Sequence, residues 1–194
     1  MIHRLAIAAD FDAIAAITNH YIRTTAIHFG YEDVTADELR TLFVAGEQRY
    51  PWLVAELDGE IAGYAKAGAW RTRAAYDWIA ESGIYFAPAH CGRGHGAPLY
   101  RRLLDLLRAQ GFHAVIGGAT MPNPASARLH EQLGFEPCGI VHEVGWKHDR
   151  WHDVAFWQLR LAASGHPAQP IRTPEAVWDE LFGGPEARPG SSRP

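Results

Sequence analysis

From Asp10 onward, apolar side chains recur every three or four positions: Phe11, Ile14, Ile17 and Tyr21. That spacing predicts a helix, with Asp10 as its N-cap. The short alternating run "IHRLAIA" before it reads as a first strand. Thr35 stands three residues ahead of Glu38 in "TADELRTLF", a capping-box pattern that predicts a second helix. In "WLVAELDGEIAGYAKAGAW" two apolar runs flank Asp58-Gly59. That pair tolerates the positive φ of a type I′ turn, so the segment reads as a hairpin. "YDWIAESGIYFAP" is a further strand, and Gly83 inside it suggests a bulge or a close backbone approach.

Beyond a glycine-rich loop, Leu99, Leu103, Leu106 and Leu107 share one helical face, and Gly111 ends the run. "FHAVIGGAT" reads as a buried strand. "NPASARLHEQLGF" is a short helix capped by Asn123, with Pro124 in its first turn and Gly134 past its end. The stretch "CGIVHEVGWKHDRWHDVAFWQLRL" makes two strands joined near His148-Asp149-Arg150. The order is β-α-α-β-β-β-α-β-α-β-β. The two strands that bracket the leucine-striped helix should pair in parallel through a right-handed crossover. The fold class is therefore α+β, with a mixed β-sheet flanked by helices.

The chain has 194 residues, enough for one domain with a tail. We place the domain at residues 1–162 and a C-terminal tail at 163–194, where Pro, Gly and Ser accumulate. Within the tail, "PEAVWDELFG" is read as one or two helical turns and the last ten residues as disordered. Net charge is −4, which gives no footprint for nucleic acid or an anionic membrane. No stretch reaches the roughly 18 apolar residues of a membrane span, and the N-terminus does not read as a signal peptide. Two cysteines, Cys91 and Cys138, are too few for a disulfide framework. A cytoplasmic protein is expected.

The candidate chemistry centres on Cys91-Gly92-Arg93-Gly94-His95-Gly96, between a strand and a helix. Unpaired N–H groups at a helix start carry partial positive charge, and glycines let a loop curl close to an anion. Arg93 and Arg101 can add side-chain charge. The loop has no Gly-Lys-Ser/Thr and no Rossmann context, so neither NTP hydrolysis nor dinucleotide binding is indicated. An anion cradle and a plain glycine turn both fit. Cys91 with His95, and the later His148, Asp149, His152 and Asp153, do not repeat the paired spacing of a zinc site, so no metal is expected.

The order of elements and the Gly94–Gly96 loop together resemble the GNAT acyltransferase superfamily. "NHYI", "RYPWLVAE", "AYDW-x-x-ES", "RLHEQLGF" and "KHDRWHDVAFWQ" are similar to its phosphinothricin N-acetyltransferase subgroup, over about Leu5 to Leu161. The resemblance implies transfer of the acetyl group of acetyl-CoA to the α-amine of a small amino acid bearing a phosphinic, sulfoximine or sulfone group. The same-class alternative is a protein N-terminal acetyltransferase, and the other is a CoA-binding sensor without turnover.

Residue by residue, the resemblance puts the coenzyme diphosphate on Cys91, Gly92, Arg93, Gly94, His95 and Gly96, although Cys91 stands where a long polar side chain is common. It puts the pantetheine and the oxyanion donor along Ile84, Tyr85 and Phe86, and a further coenzyme contact at Asn123. Glu81 is the implied base; by itself it reads first as a surface carboxylate on a strand end, and the resemblance reverses that order. His130 is the implied partner of the leaving thiolate, or else an ordinarily packed helix histidine. Arg73, Tyr76 and Phe29 are implied substrate contacts. The family also implies a homodimer, with His148, His152 and Asp153 organising the last hairpin.

Overall fold

The computed structural model describes residues 1–46, 48–165 and 168–183. Its elements are β1 (Ile2–Leu5), α1 (Phe11–Thr24), α2 (Ala36–Gly46), β2 (Trp52–Leu57), β3 (Glu60–Ala69), β4 (Ile79–Phe86), α3 (Gly96–Gln110), β5 (Ala114–Thr120), α4 (Pro124–Gln132), β6 (Glu136–Lys147), β7 (Arg150–Arg160) and α5 (Pro174–Phe182). The strands form one sheet in the order β1-β2-β3-β4-β5-β7-β6. Only the β4–β5 pair is parallel among the described strands, and α3 is its crossover. The result is a mixed α+β sheet covered on both faces.

Strand alternation assigns the two faces. Leu53 and Ala55 of β2, with Ala65 and Ala67 of β3, pack under α3 and α5. Trp52, Val54 and Tyr64 pack on the opposite side, against Phe11, Ile14 and Leu39 of α1 and α2. The predicted leucine stripe of α3 is fully buried. Each such side chain contributes about 1.5–3 kcal/mol by leaving water.

The local signals resolve one by one. Thr35 and Glu38 form the reciprocal capping box: Glu38 N–H donates to Thr35 Oγ1 at 3.2 Å, and Thr35 N–H donates to Glu38 Oε2 at 2.7 Å. Asp58 and Gly59 both have positive φ, as do His148 and Asp149 between β6 and β7. Asn123 Oδ1 accepts from Ser126 N–H at 3.0 Å. Asp10 takes the expected N-cap position, but its side chain is used elsewhere. Its carboxylate makes no cap bond to α1; it accepts from Ile7 N–H and from both terminal nitrogens of Arg4. A buried guanidinium outcompetes a helix N–H, because charged pairs make the stronger hydrogen bonds.

Gly83 is a correction. Pairing of β3 with β4 runs unbroken from Gly63↔Phe86 to Ala69↔Ala80, so no bulge interrupts it. The irregularity lies on the other edge, where β4–β5 pairing stops at Ser82↔Gly117. Beyond that point β4 keeps β3 and loses β5, which opens a cleft in the sheet.

The segment after β7 returns to the core. Val177 and Trp178 of α5 join the α3 side, and buried Gln110 donates to the carbonyls of Arg49 and Arg172. The segment expected to be disordered at the C-terminus lies outside the described residues.

Candidate active site

Along β4 the side chains divide by parity. Ala80, Phe86 and Ile84 pack with the α3 side, whereas Tyr85 packs with the α1–α2 side. Ser82 follows the first group and Glu81 and Gly83 the second, because successive strand residues face opposite ways. Ala87 N–H donates to Ala62 O across the β3 edge. Two-residue alternation therefore turns the N–H groups of Ile84 and Phe86 toward the side that β5 has left.

Two cavities meet at this opening and share Ser82, Gly83, Tyr85 and Gly118. The first, about 360 Å³, runs from the glycine loop past Ile84 and Phe86 to Asn123 and His130. Gly92 and Gly94 have φ of +70° and +81°, and a Cβ on either would meet no protein atom within 4 Å. The loop is thus curled by residues that only glycine tolerates well, around open space. No side chain caps the first turn of α3, so its N–H groups face outward unpaired. His90 lines the same cleft, and its buried Nδ1 has no hydrogen-bond partner. These features suit an elongated ligand with an anionic end and amide groups. Tyr21 Oη donates to Phe86 O at 2.6 Å and lies 3.3 Å from Cys91 Sγ, which pins α1 to the loop. Arg93 is exposed beside the loop. Arg101 lines a separate recess with Asp105 and Arg108, so it adds no charge here.

His130 is buried at the inner end of the first cavity. Its ring stacks on Trp157 at 5.0 Å. Nδ1 lies 2.8 Å from Ser126 O. A carbonyl only accepts, so Nδ1 carries the hydrogen and Nε2 is left to accept from Tyr100 Oη at 3.2 Å. Tyr100 in turn meets Ser82 Oγ at 2.6 Å. Burial lowers the His130 pKa, opposed by the bond to Ser126 O, and burial raises that of Tyr100. Burial thus disfavours the charged imidazole. Gly117 makes the arrangement possible: a Cβ there would come 2.2 Å from His130 Nε2.

The second cavity, about 540 Å³, lies on the α1–α2 side and holds Glu81, Lys66, Trp52, Tyr85 and Leu42. Glu81 keeps accessible surface, yet the recess walls strip enough water to raise its pKa. Lys66 and Arg71 pull the other way. Burial lowers the Lys66 pKa, with Glu81 opposing, and burial followed by Glu81 pushes Tyr85 up to about 12. A carboxyl raised by desolvation is a stronger proton acceptor than one in water.

The remaining sequence candidates stand apart. Arg73 and Tyr76 flank the exposed turn before β4 and line neither cavity. The Phe29 ring fills the place of a side chain on Gly145, where a Cβ would come 2.3 Å from Cζ. Its loop is tied to β6 by buried Lys147, whose Nζ donates to Ile22 O and His28 O at 2.5 and 2.7 Å. His152 is buried, with Nε2 2.9 Å from Lys147 O, and His142 pairs with Asp153 at 2.8 Å, so these groups brace the final hairpin. Among the described residues no group of three or more His, Cys, Asp or Glu is placed to hold a metal ion.

Sequence reasoning missed Lys66, Tyr100 and Ser82. A lysine inside the otherwise uncharged run "IAGYAKAGAW", and a tyrosine beside a leucine stripe, were the available signals. Each puts a polar group where the pattern calls for burial.

The profile of the Acetyltransferase (GNAT) family matches residues 14–135. The chain is 44% identical over 170 residues to a phosphinothricin N-acetyltransferase of Streptomyces viridochromogenes, covering 87% of this chain and 93% of that one. It is 38% identical to an L-methionine sulfoximine/L-methionine sulfone acetyltransferase of Salmonella typhimurium, covering 84% and 96%. The structure of an acetyltransferase from Salmonella typhimurium with acetyl-CoA superposes with a TM-score of 0.83 at 38% identity, covering 86% of this chain and 97% of that one. An opened β4–β5 pair, a glycine loop leading into α3 and this breadth of similarity agree: the chain belongs to the GNAT acetyltransferase family.

Proposed function

We propose that the chain transfers the acetyl group of acetyl-CoA to the α-amine of a small amino-acid analogue of the phosphinothricin, methionine sulfoximine or methionine sulfone type. The observation that carries this reading is the opening in the sheet. It brings Glu81, with its raised pKa, and the outward N–H of Ile84 to one gap between two cavities. The activities of the two relatives support the substrate class.

Acetyl-CoA supplies the acetyl group and departs as the thiol. In this reading, Gly92, Gly94, Gly96 and the first turn of α3 hold its diphosphate through backbone N–H groups, with Cys91, Arg93 and His95 at the loop rim. The free edge of Ile84–Phe86 pairs with its amides like an added strand, and Asn123 closes the cleft. Glu81 takes the proton from the incoming ammonium, directly or through water, so that a neutral amine attacks. The Ile84 N–H donates to the carbonyl oxygen as negative charge builds on it. The attacking amine sheds a second proton as the amide forms, and that proton leaves with the sulfur, so the coenzyme departs as the thiol; His130 accepts from Tyr100 and fixes that hydroxyl in the cleft wall there. A buried neutral imidazole serves here as an orienting acceptor rather than a proton store. Arg73 and Tyr76 on the exposed turn before β4, and Phe29 packed over Gly145, line neither cavity and are given no contact with the acceptor in this reading.

The reading includes a homodimer. β6 is an edge strand, and Ile140, Val141, Val144 and Trp146 on it are exposed, as is Trp151 of β7. A second copy covering this apolar edge would remove an aggregation hazard; a monomeric mass by light scattering would remove this part. Two exposed free thiols fit a reducing cytoplasm. Among the described residues no helix is long and apolar enough to cross a membrane. Acetylation removes the charge and nucleophilicity of an amine, so a role in resistance to amino-acid-analogue toxins fits the chemistry.

The test is thiol release from acetyl-CoA with a panel of amino-acid analogues and peptides. Release with phosphinothricin or methionine sulfone is expected. Release with peptides alone would establish the protein-acetylating alternative, and coenzyme binding without release under any acceptor would establish the sensor.

A further inference from the structure

Two of the four side-chain positions that floor the second cavity are empty. Register places Lys66 of β3 opposite Gly83 of β4, and Gly68 opposite Glu81. Directly opposed residues share a face, as do positions two apart on one strand. All four therefore face the same recess, with the charges on one diagonal and the glycines on the other. A Cβ on Gly68 would meet nothing within 4 Å, and one on Gly83 would touch only Tyr85. The floor is thus an open depression with a cation at one corner and a carboxylate at the other.

Among the described residues Lys66 meets an aromatic face but no hydrogen-bonding or ionic partner. Its Nζ lies 4.7 Å from the Trp52 ring centroid. Among the described residues no hydrogen bond or ion pair reaches it, although it is half-buried and lines the recess. An ammonium taken from water is normally paired. Glu81, on the same face, does not close onto it, and diagonal positions lie roughly 7–8 Å apart in a sheet. Two opposite charges held apart over glycine match a zwitterion, whose own two charges are separated and inverted relative to them.

We propose that Lys66 is a specificity residue that binds the α-carboxylate of the acceptor amino acid and thereby sets its amine against Glu81. This rests on the acetyltransferase reading above and deepens it. The recess selects free amino acids, and neutral amines or peptides, which carry no α-carboxylate beside the reacting amine, are excluded. Trp52 forms the wall beneath the lysine, leaving the acceptor side chain to run outward toward the rim.

The experiment compares L-methionine sulfone with its primary carboxamide as acceptors. The amide's amine is less basic, so without carboxylate recognition it presents more free amine and should be the better acceptor. Wild type is expected to prefer the acid by roughly tenfold or more in kcat/KM, the scale of one charge-assisted hydrogen bond. Lys66→Met and the polar, uncharged Lys66→Gln should erase that preference and leave KM for acetyl-CoA unchanged, while Lys66→Arg should restore part of it. If both neutral variants keep the wild-type preference, the assignment is overturned. If wild type acetylates neither compound nor any other analogue in the panel, the acetyltransferase reading falls and takes this inference with it.

Discussion

The two faces of β4 are built on opposite principles. On the α3 side the cleft is shaped by backbone: positive-φ glycines, an uncapped helix start and N–H groups released by the lost β5 pairing. On the α1–α2 side the recess is shaped by side chains, with Glu81, Lys66, Trp52 and Tyr85 supplying charge and wall. A main-chain cradle binds whatever shares the coenzyme's common parts, and most substitutions leave it intact. A side-chain recess binds one acceptor class and is altered by single changes. The contrast predicts effects that differ in size and in which kinetic constant they touch.

The largest effect belongs to Glu81. Glu81→Gln should lower kcat/KM about 10²- to 10⁴-fold, the usual worth of a positioned base, with acetyl-CoA affinity by calorimetry unchanged. The wild-type rate should fall as pH drops through the raised Glu81 pKa, because only the ionised form accepts a proton; the Gln variant should lack that limb. Equal loss of turnover and coenzyme affinity would remove Glu81 from the role.

Next is His130→Phe, which keeps the ring and deprives Tyr100 of its acceptor. A roughly tenfold fall in kcat with unchanged acceptor KM is expected, since the Tyr100 hydroxyl keeps Ser82 Oγ but loses one of the two hydrogen bonds that orient it. An unchanged kcat would reduce His130 to packing.

A smaller effect tests the backbone side. Gly94→Ala forces a Cβ onto a residue at φ +81°, a strain of about 1 kcal/mol. Coenzyme Kd should rise about fivefold while acceptor KM stays put. A shift in acceptor KM alone would mean that the two faces are not separable.

The smallest is Arg73→Ala. An exposed guanidinium outside both cavities should change acceptor KM only about two- to fivefold, the scale of a surface charge contact. A larger loss would bring the turn before β4 into the recess.

What the sequence displayed and what it hid follow from range. Thr35 with Glu38, Asp58-Gly59, the α3 leucines and Asn123 act within a few residues, so their geometry is written locally. The glycine loop was visible for the same reason. The Lys66–Gly83 and Gly68–Glu81 pairs depend on strand register, and Tyr100 finds His130 thirty positions away. No window of sequence contains either. Gly83 was misassigned because the irregularity it signals belongs to the opposite edge of its strand. Asp10 holds the N-cap position without the cap bond, because the competitor for its carboxylate, Arg4, sits on a different element.

The parity of β4 also bears on how such a chain can change over generations. Replacing a residue of the recess other than Glu81, such as Leu42 or Trp52, would revise which acceptors are admitted without touching the coenzyme cleft, which neither residue lines. Adding or deleting a single residue upstream of Glu81 would turn the strand over and exchange the two sets of groups. Diversification by point replacement is therefore open to this scaffold, and drift in strand length is closed.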